Sequence, residues 1–374
     1  MKNKKILIPL LLIFLAVIIV GIIIYPTKKE PEVIKIGAIL PLTGPAAFYG
    51  EWGRKGMDLA IDEINSSGGI NNKKLAILYG DSKNDMKEGI SWANKMMMSE
   101  IPVIISAMTG VSFSIIPIVE KHKRVLFMTI VTHPEAANKS EWAFRHYINK
   151  GKAAQKMANF AYYTLNLRKI GILYINDEGG LGEKESFKTE FEKLGGKIVG
   201  EESFEKNAND LRPQLLKIAN LKPEAIYFSG YGKIYGIGIR QIKELKIQAK
   251  VLASYEPLYK TTQEFAGDAL EDVIFTSPYF EEENSQTQKF MEQYTARYGE
   301  RPEIDAAFGY DVIMLIAKVL KEGTNDPEAI KNNLLKIKDY PGVVGKISVL
   351  PNGDTEIPIV IRTFKDGKII TISK

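Results

Sequence analysis

The sequence predicts an α/β fold made of two similar halves with parallel-rich sheets. Three observations carry that expectation. From Val33 onward, short apolar runs alternate with amphipathic stretches, the pattern of βαβ units. The alternation resets near Tyr147–Lys150, and a second strand–helix series opens at Lys169. The chain has 374 residues, 45% hydrophobic and 25% charged, which is the composition of a folded globular protein. That length suits one large or two ordinary domains of about 100–200 residues.

The elements follow in order. Ile34–Leu40 reads as a short buried strand, and Pro41–Pro45 (PLTGP) as a Thr/Gly turn. Met57, Ala60, Ile61 and Ile64 then recur at helical spacing until Gly68-Gly69 stops the helix. Further strands are expected at Leu75–Tyr79, Val103–Ser106 and Val125–Met128. The second series places strands at Lys169–Ile175, Lys197–Glu202, Ala225–Ser229, Lys250–Ala253 and Val273–Thr276. Within it, Phe187, Phe191 and Leu194 mark a helix that Gly195-Gly196 ends. A helical pair follows at Ser285–Tyr298 and Ile304–Glu322, with another helix start at Asn325–Pro327. The tail alternates Ile357, Ile359 and Ile361 and turns at Asp366-Gly367, which signals a hairpin.

The N-terminus has a different character. Ile6–Tyr25 is an uncharged apolar run, long enough as a helix to cross about 30 Å of hydrocarbon. Lys2, Lys4 and Lys5 precede it, so the positive-inside tendency puts everything after it outside the cytoplasm. Pro26, Thr27, Lys28 and Lys29 follow, without a small-residue cleavage pattern, which favours a retained anchor over a cleaved signal peptide. Residues 1–32 are therefore expected to be anchor and charged linker.

Composition excludes several chemistries. Five lysines against two glutamates place +3 of the net +5 in the first 32 residues, so the rest is nearly neutral and has no nucleic-acid-binding character. With no cysteine, there is no disulfide scaffold, thiolate metal site or cysteine nucleophile. Three histidines without HExxH spacing imply no metal site. Gly179–Gly182 follows a strand but lacks GxGxxG spacing, and no Walker A pattern occurs, so no nucleotide cofactor is expected.

Several motifs in sequence give the chain a family likeness. They are PLTGP at Pro41–Pro45, Gly56-x3-Ala60-x2-Glu63-Ile64-Asn65, Gly68-Gly69-Ile70 and Asp81. They continue with the hydroxyl-rich turn Thr109–Ser114, Thr132-x-Pro134-Glu135 and Ser229-Gly230-Tyr231. Together, from about Val33 to the C-terminus, they resemble the leucine/isoleucine/valine-binding family of extracytoplasmic solute-binding proteins. The resemblance implies the type I periplasmic-binding-protein fold, two Rossmann-like lobes joined by three crossovers. On this chain the lobes would be 33–147 plus 279–356, and 148–278 plus 357–374. It implies an amino-acid ligand in the interlobe cleft, delivered to the permease and ATPase subunits of an ABC importer.

By resemblance, Thr109 and Thr132 would hold the ligand carboxylate, Tyr49 would line the cleft, Tyr231 would touch the ligand, and Glu256 would bind its ammonium. Ser112, Val131, Leu181 and Tyr255 are secondary candidates. Leu181 stands where related binders carry an aromatic, and Ile130 and Val131 replace smaller residues, so pocket size is expected to differ. Read without the resemblance, Thr109 and Ser112 could be helix caps, Tyr231 a packing aromatic and Glu256 a surface acid. Thr43 is expected to shape its turn, His133 to be a turn residue, and Met96–Met98 to end a helix on the core.

The functional expectation is ligand capture without covalent chemistry. The first alternative is a sensory ectodomain working through a membrane partner; the second is an amide or another small carboxylate as ligand. An enzyme is disfavoured, since Asp58 and Asp62-Glu63 read as a solvated helix face rather than paired catalytic acids.

Overall fold

The computed structural model of the protein describes residues 32–278, 284–323 and 325–373. Its first half runs β1 (Val33–Leu40), α1 (Ala47–Ser66), β2 (Lys74–Asp81), α2 (Met86–Met98), β3 (Val103–Ser106), α3 (Thr109–Lys121), β4 (Val125–Met128) and β5 (Ala143–Arg145). α4 (Lys150–Asn159) then opens a second series: β6 (Lys169–Ile175), α5 (Glu178–Lys193), β7 (Lys197–Phe204), α6 (Arg212–Asn220), β8 (Ala225–Ser229), α7 (Gly232–Glu244), β9 (Lys250–Ala253), α8 (Lys260–Ala266) and β10 (Ile274–Pro278). The chain continues through α9 (Ser285–Tyr298), α10 (Ile304–Leu320) and α11 (Pro327–Leu334). Three short antiparallel strands follow, β11 (Tyr340–Gly342), β12 (Gly345–Val349) and β13 (Thr355–Glu356), then the hairpin β14 (Ile359–Lys365) and β15 (Lys368–Ser373).

Two sheets repeat one topology. The first is parallel throughout, in the order β2-β1-β3-β4-β5. The second contains the parallel ladder β7-β6-β8-β9-β10, and β14 and β15 extend it antiparallel from β10. In each, the first strand has the second on one side and the third on the other. The βα connections therefore leave in opposite directions between β1 and β3, and again between β6 and β8. A crevice opens at the carboxyl ends of those strands. β3, β4 and β8 are buried along their whole length, as strands covered on both faces must be.

The helices that cover the first sheet pack backbone to backbone. α1 buries Tyr49, Gly53, Gly56, Met57, Ala60 and Ile64, a single stripe at helical spacing. A Cβ on Gly56 would lie 1.9 Å from Ala306 O of α10, and one on Gly309 would lie 2.3 Å from Gly53 O. Only glycine allows that approach.

A buried ion pair ties two of the passages between the halves. Arg145, at the end of β5, donates from Nε and Nη2 to the two oxygens of Asp354, at 2.8 and 2.6 Å. Asn149 donates to Asp354 Oδ2 at 3.2 Å, and Arg145 also reaches His133 O. Residues 279–283, between β10 and α9, lie outside the described residues.

The sequence expectations fare unevenly. The nine expected strands all appear, whereas β5 and β11–β13, of two to five residues, were not anticipated. The tail hairpin begins at Ile359 rather than Ile357, which packs instead against the first-half core. Pro358 intervenes, and it has no N–H to donate to a ladder. Met96 and Met97 are core residues, but Met98 is 80% exposed. Among the described residues no helix is long and apolar enough to cross a membrane; the expected anchor at 6–25 lies outside them.

Candidate functional site

The crevice between the two sheets is a cleft of about 330 Å³. That is at the small end of ligand pockets, which run about 300–1,000 Å³. Tyr49, Thr109, Thr132, Tyr231, Tyr255 and Glu256 all line it.

The first half contributes backbone donors, hydroxyls and apolar groups. β3 ends at Ser106, and α3 begins at Thr109 with its N-terminus at the cleft. The N–H groups of the first helical turn have no partner one turn back, so this end favours an anion. Neither Thr109 nor Ser112 caps the helix. The cap position is Met108, held at φ 71° by a hydrogen bond from its N–H to Ile130 O at 3.2 Å. Ile130 is itself at φ 54°. A positive φ is strained for both, most of all for a β-branched side chain, and both residues line the cleft. The paired strain sets how the ends of β3 and β4 present Thr109 and Thr132.

Three of the secondary candidates lie elsewhere. Ser112 Oγ is buried 2.7 Å from Ser106 Oγ, a pairing that turns it away from the cleft lined by its neighbour Val111. Val131 alternates with Ile130 and Thr132 and so points into the core. Leu181 is 40% exposed and does not line the cleft, because the first turn of α5 carries it outward. The glycines before it serve close approach rather than an unusual φ. A Cβ on Gly180 would meet Ile175 O at 2.2 Å, and one on Gly179 would sit 3.2 Å from Thr132 Oγ1 across the cleft.

The turn after β1 is pinned by Asp81, which accepts from Thr43 Oγ1 at 2.6 Å and Leu42 N at 2.9 Å. It places Tyr49 on the first turn of α1. The Tyr49 ring meets that of Tyr231 edge to face at 6.3 Å and that of Tyr259 at 5.7 Å. Trp52 stacks on Tyr259 with centroids 5.7 Å apart. His133 accepts from Glu135 N at its own turn.

The second half contributes charge. Tyr231 precedes α7, and its hydroxyl donates to Asp177 Oδ2 at 2.8 Å; Asp177 caps α5 through its other oxygen. Lys150, at the start of α4, is 3% exposed and also lines the cleft. Its Nζ is 3.2 Å from Glu183 Oε2 and 3.5 Å from Glu256 Oε1, and it donates to Gly230 O at 3.3 Å. Glu183 is fully buried and accepts from Tyr227 OH at 2.8 Å and Ser229 Oγ at 2.6 Å. Glu256 Oε2 is buried and has no hydrogen-bond partner among the described residues. Burial pushes the Glu256 carboxyl up to about 8; Lys150 opposes the shift, and Glu183 and Asp305 reinforce it.

Tyr147 also lines the cleft, and its OH donates to Asp305 Oδ1 at 2.6 Å and lies 3.2 Å from Tyr259 OH, both outside the lining. Burial raises Asp305 to about 7. Sequence reasoning did not reach Lys150, Glu183, Tyr147, Met108 or Asp305. A lone lysine, or a glutamate within Glu183-Lys184-Glu185, reads as solvated.

A cleft between two sheets of the same order is also what the wider comparison returns. The sequence profile described as periplasmic binding protein matches residues 33–368. The chain belongs to the periplasmic binding protein family. Within it, a Leu/Ile/Val-binding protein homolog of Brucella melitensis is 26% identical over 344 residues, covering 90% of this chain and 93% of the relative. Among solved structures, the leucine binding protein LivK of Thermotoga maritima superposes with a TM-score of 0.83 at 25% identity, over 91% of this chain and 98% of that one. The branched-chain amino acid transporter substrate binding protein LivJ of Streptococcus pneumoniae, in complex with isoleucine, gives 0.82 at 25% identity, over 92% and 100%. The type I fold implied by the motifs is therefore the fold of this chain, and family membership implies an extracytoplasmic location.

Proposed function

We propose that this protein is the solute-binding component of an ABC importer and captures an amino acid with an aliphatic side chain. One observation carries the reading. Two complementary polar ends face each other across a small cleft: the N-terminus of α3 with Thr109 and Thr132, and the buried, unpartnered oxygen of Glu256. A zwitterion needs both, a donor-rich end for its carboxylate and an acceptor for its ammonium. Tyr49, Met108, Val111 and Ile130 line the cleft between those ends and offer an apolar wall for the side chain. The names of the relatives, which bind leucine, isoleucine or valine, support the same class of ligand.

On this reading the lobes comprise 33–147 plus 279–356, and 148–278 plus 357–374, and ligand capture holds them closed about the passages between them. The closed form docks on a permease whose ATPase partner supplies the energy. Residues 6–25 keep the protein on the outer face of the membrane. Isothermal titration of the soluble domain with an amino-acid panel tests the proposal. Binding of leucine, isoleucine or valine is expected, and no heat from any amino acid or amide at millimolar concentration overturns it. Mass spectrometry of the mature N-terminus tests the anchor, and a chain beginning near Lys28 removes it.

A further inference from the structure

Lys150 lines the cleft but has no part in holding a zwitterion as described above. A buried ammonium beside the acid that is to receive the ligand's own ammonium is an unexpected neighbour, because like charges compete for one carboxylate. The geometry resolves the competition. Glu183 is the nearer of the two acids to Nζ, at 3.2 Å against 3.5 Å for Glu256. Glu183 also takes hydrogen bonds from Tyr227 and Ser229, and it does not line the cleft. Its charge is thus met wholly by groups of the protein. Glu256 meets Lys150 with Oε1 only, and Oε2 is left without a partner. Lys150 also donates to Gly230 O and sits over the Tyr255 ring, 5.2 Å from its centroid. Although it lines the cleft, it is therefore held in place by groups of the protein.

We propose that Lys150 is the positioning and specificity-determining residue of the ammonium subsite. It satisfies Glu183, braces one oxygen of Glu256, and so leaves one acceptor oxygen, which suits a solute with one α-ammonium. The inference rests on the amino-acid reading above and adds the residue that enforces it. Without Lys150, two buried carboxyl groups stand side by side with no cation between them. Glu256 then becomes harder still to ionise or turns away, and the ammonium loses a fixed acceptor.

The test compares leucine with 4-methylpentanoate, which keeps the carboxylate and side chain but lacks the ammonium. With wild-type protein, leucine is expected to bind at least about a hundredfold tighter, since the analogue leaves the buried acceptor unpaired. In Lys150→Ala, leucine affinity is expected to fall at least about tenfold, while 4-methylpentanoate, which does not use Glu256, changes little. The ratio of the two therefore collapses, which general damage to the fold would not produce, because that weakens both alike. n-Propylammonium, filling the space of the deleted side chain, is expected to restore part of the leucine affinity, and 1-propanol is not. An unchanged ratio in Lys150→Ala, or equal rescue by the alcohol, overturns the proposal. If Lys150→Ala fails to fold, Lys150→Met, which keeps most of the side chain's bulk and removes its charge, carries the same comparison, and an unchanged ratio there overturns the proposal. If wild-type protein binds neither compound nor any other amino acid, the amino-acid reading itself fails.

Discussion

The two walls of the cleft are made of different material. The wall from the first sheet presents helix N–H groups, two threonine hydroxyls and apolar side chains, and it holds its shape with strained backbone at Met108 and Ile130. The wall from the second sheet presents Lys150 and Glu256 backed by Glu183, and it holds its shape with ion pairs and hydrogen bonds. On the proposed reading the first wall would bind through dipoles, which cost little to bury because the helix satisfies the rest of them. The second would bind through charge, which is costly to bury and stays in place only because it is paired. A ligand with opposite polar ends would satisfy both walls together, and closure would then depend on the solute.

This contrast can be broken in stages. The largest effect is expected from Glu256→Gln, which keeps volume and removes the charge. Leucine affinity should fall by roughly 2–4 kcal/mol, or about thirtyfold to a thousandfold, as measured by titration calorimetry. Its melting temperature without ligand should not fall, because a buried carboxyl with one unpartnered oxygen is removed while Lys150 keeps Glu183. A loss below threefold would mean that the charged wall does not carry the ammonium.

Next in size is pH. Burial raises the Glu256 carboxyl to about 8, so its ionised fraction grows as pH climbs toward that value, and the ionised form holds an ammonium more strongly than the neutral one. Leucine affinity should therefore rise with pH by up to about tenfold per unit until it levels above that value. The stability of the empty protein should run the other way. A carboxyl whose folded value lies above its unfolded 4.5 favours folding fully only below 4.5, and that contribution is lost as pH rises toward 8. Asp305, raised from 3.8 to about 7, acts in the same direction. Thermal melts at pH 5 and pH 8, with and without leucine, check both signs, and flat affinity across that range would sink the first.

Smaller still, Thr109→Val and Thr132→Val should each weaken leucine by about 0.5–1.5 kcal/mol, because the helix N–H groups remain. If either cost more than Glu256→Gln, the hydroxyls rather than the charge would dominate. The smallest change tests Leu181, a secondary candidate that departs from the family pattern. Leu181→Ala should leave affinity within about twofold, as an exposed substitution away from the cleft does.

Much of the architecture was legible in advance, and for local reasons. Strand–helix alternation, double-glycine stops and a turn at Asp366-Gly367 are written in neighbouring residues, and each nucleates its element locally. β5 and β11–β13 escaped because two to five residues show no period and depend on neighbours for their pairing. The segments of the site were legible as well: the strand-end turns at Thr109, Thr132, Tyr231 and Glu256 all reach the cleft. Which residue of a segment faces inward was harder. Ser112, Val131 and Leu181 are each next to a lining position, yet one step along the helix or strand turns them elsewhere.

By itself, then, the sequence determined the α/β alternation, the repeat of two halves, the family and the strand ends where a ligand could sit, because these follow from periodicity and turn chemistry within short windows. Only the tertiary structure decided that Lys150, Glu183 and Glu256 form one buried cluster. They come from the start of α4, the first turns of α5 and the loop after β9, and each reads in its own window as an ordinary surface charge. Burial reverses that meaning, and burial is a property of the assembled fold rather than of any window of the chain.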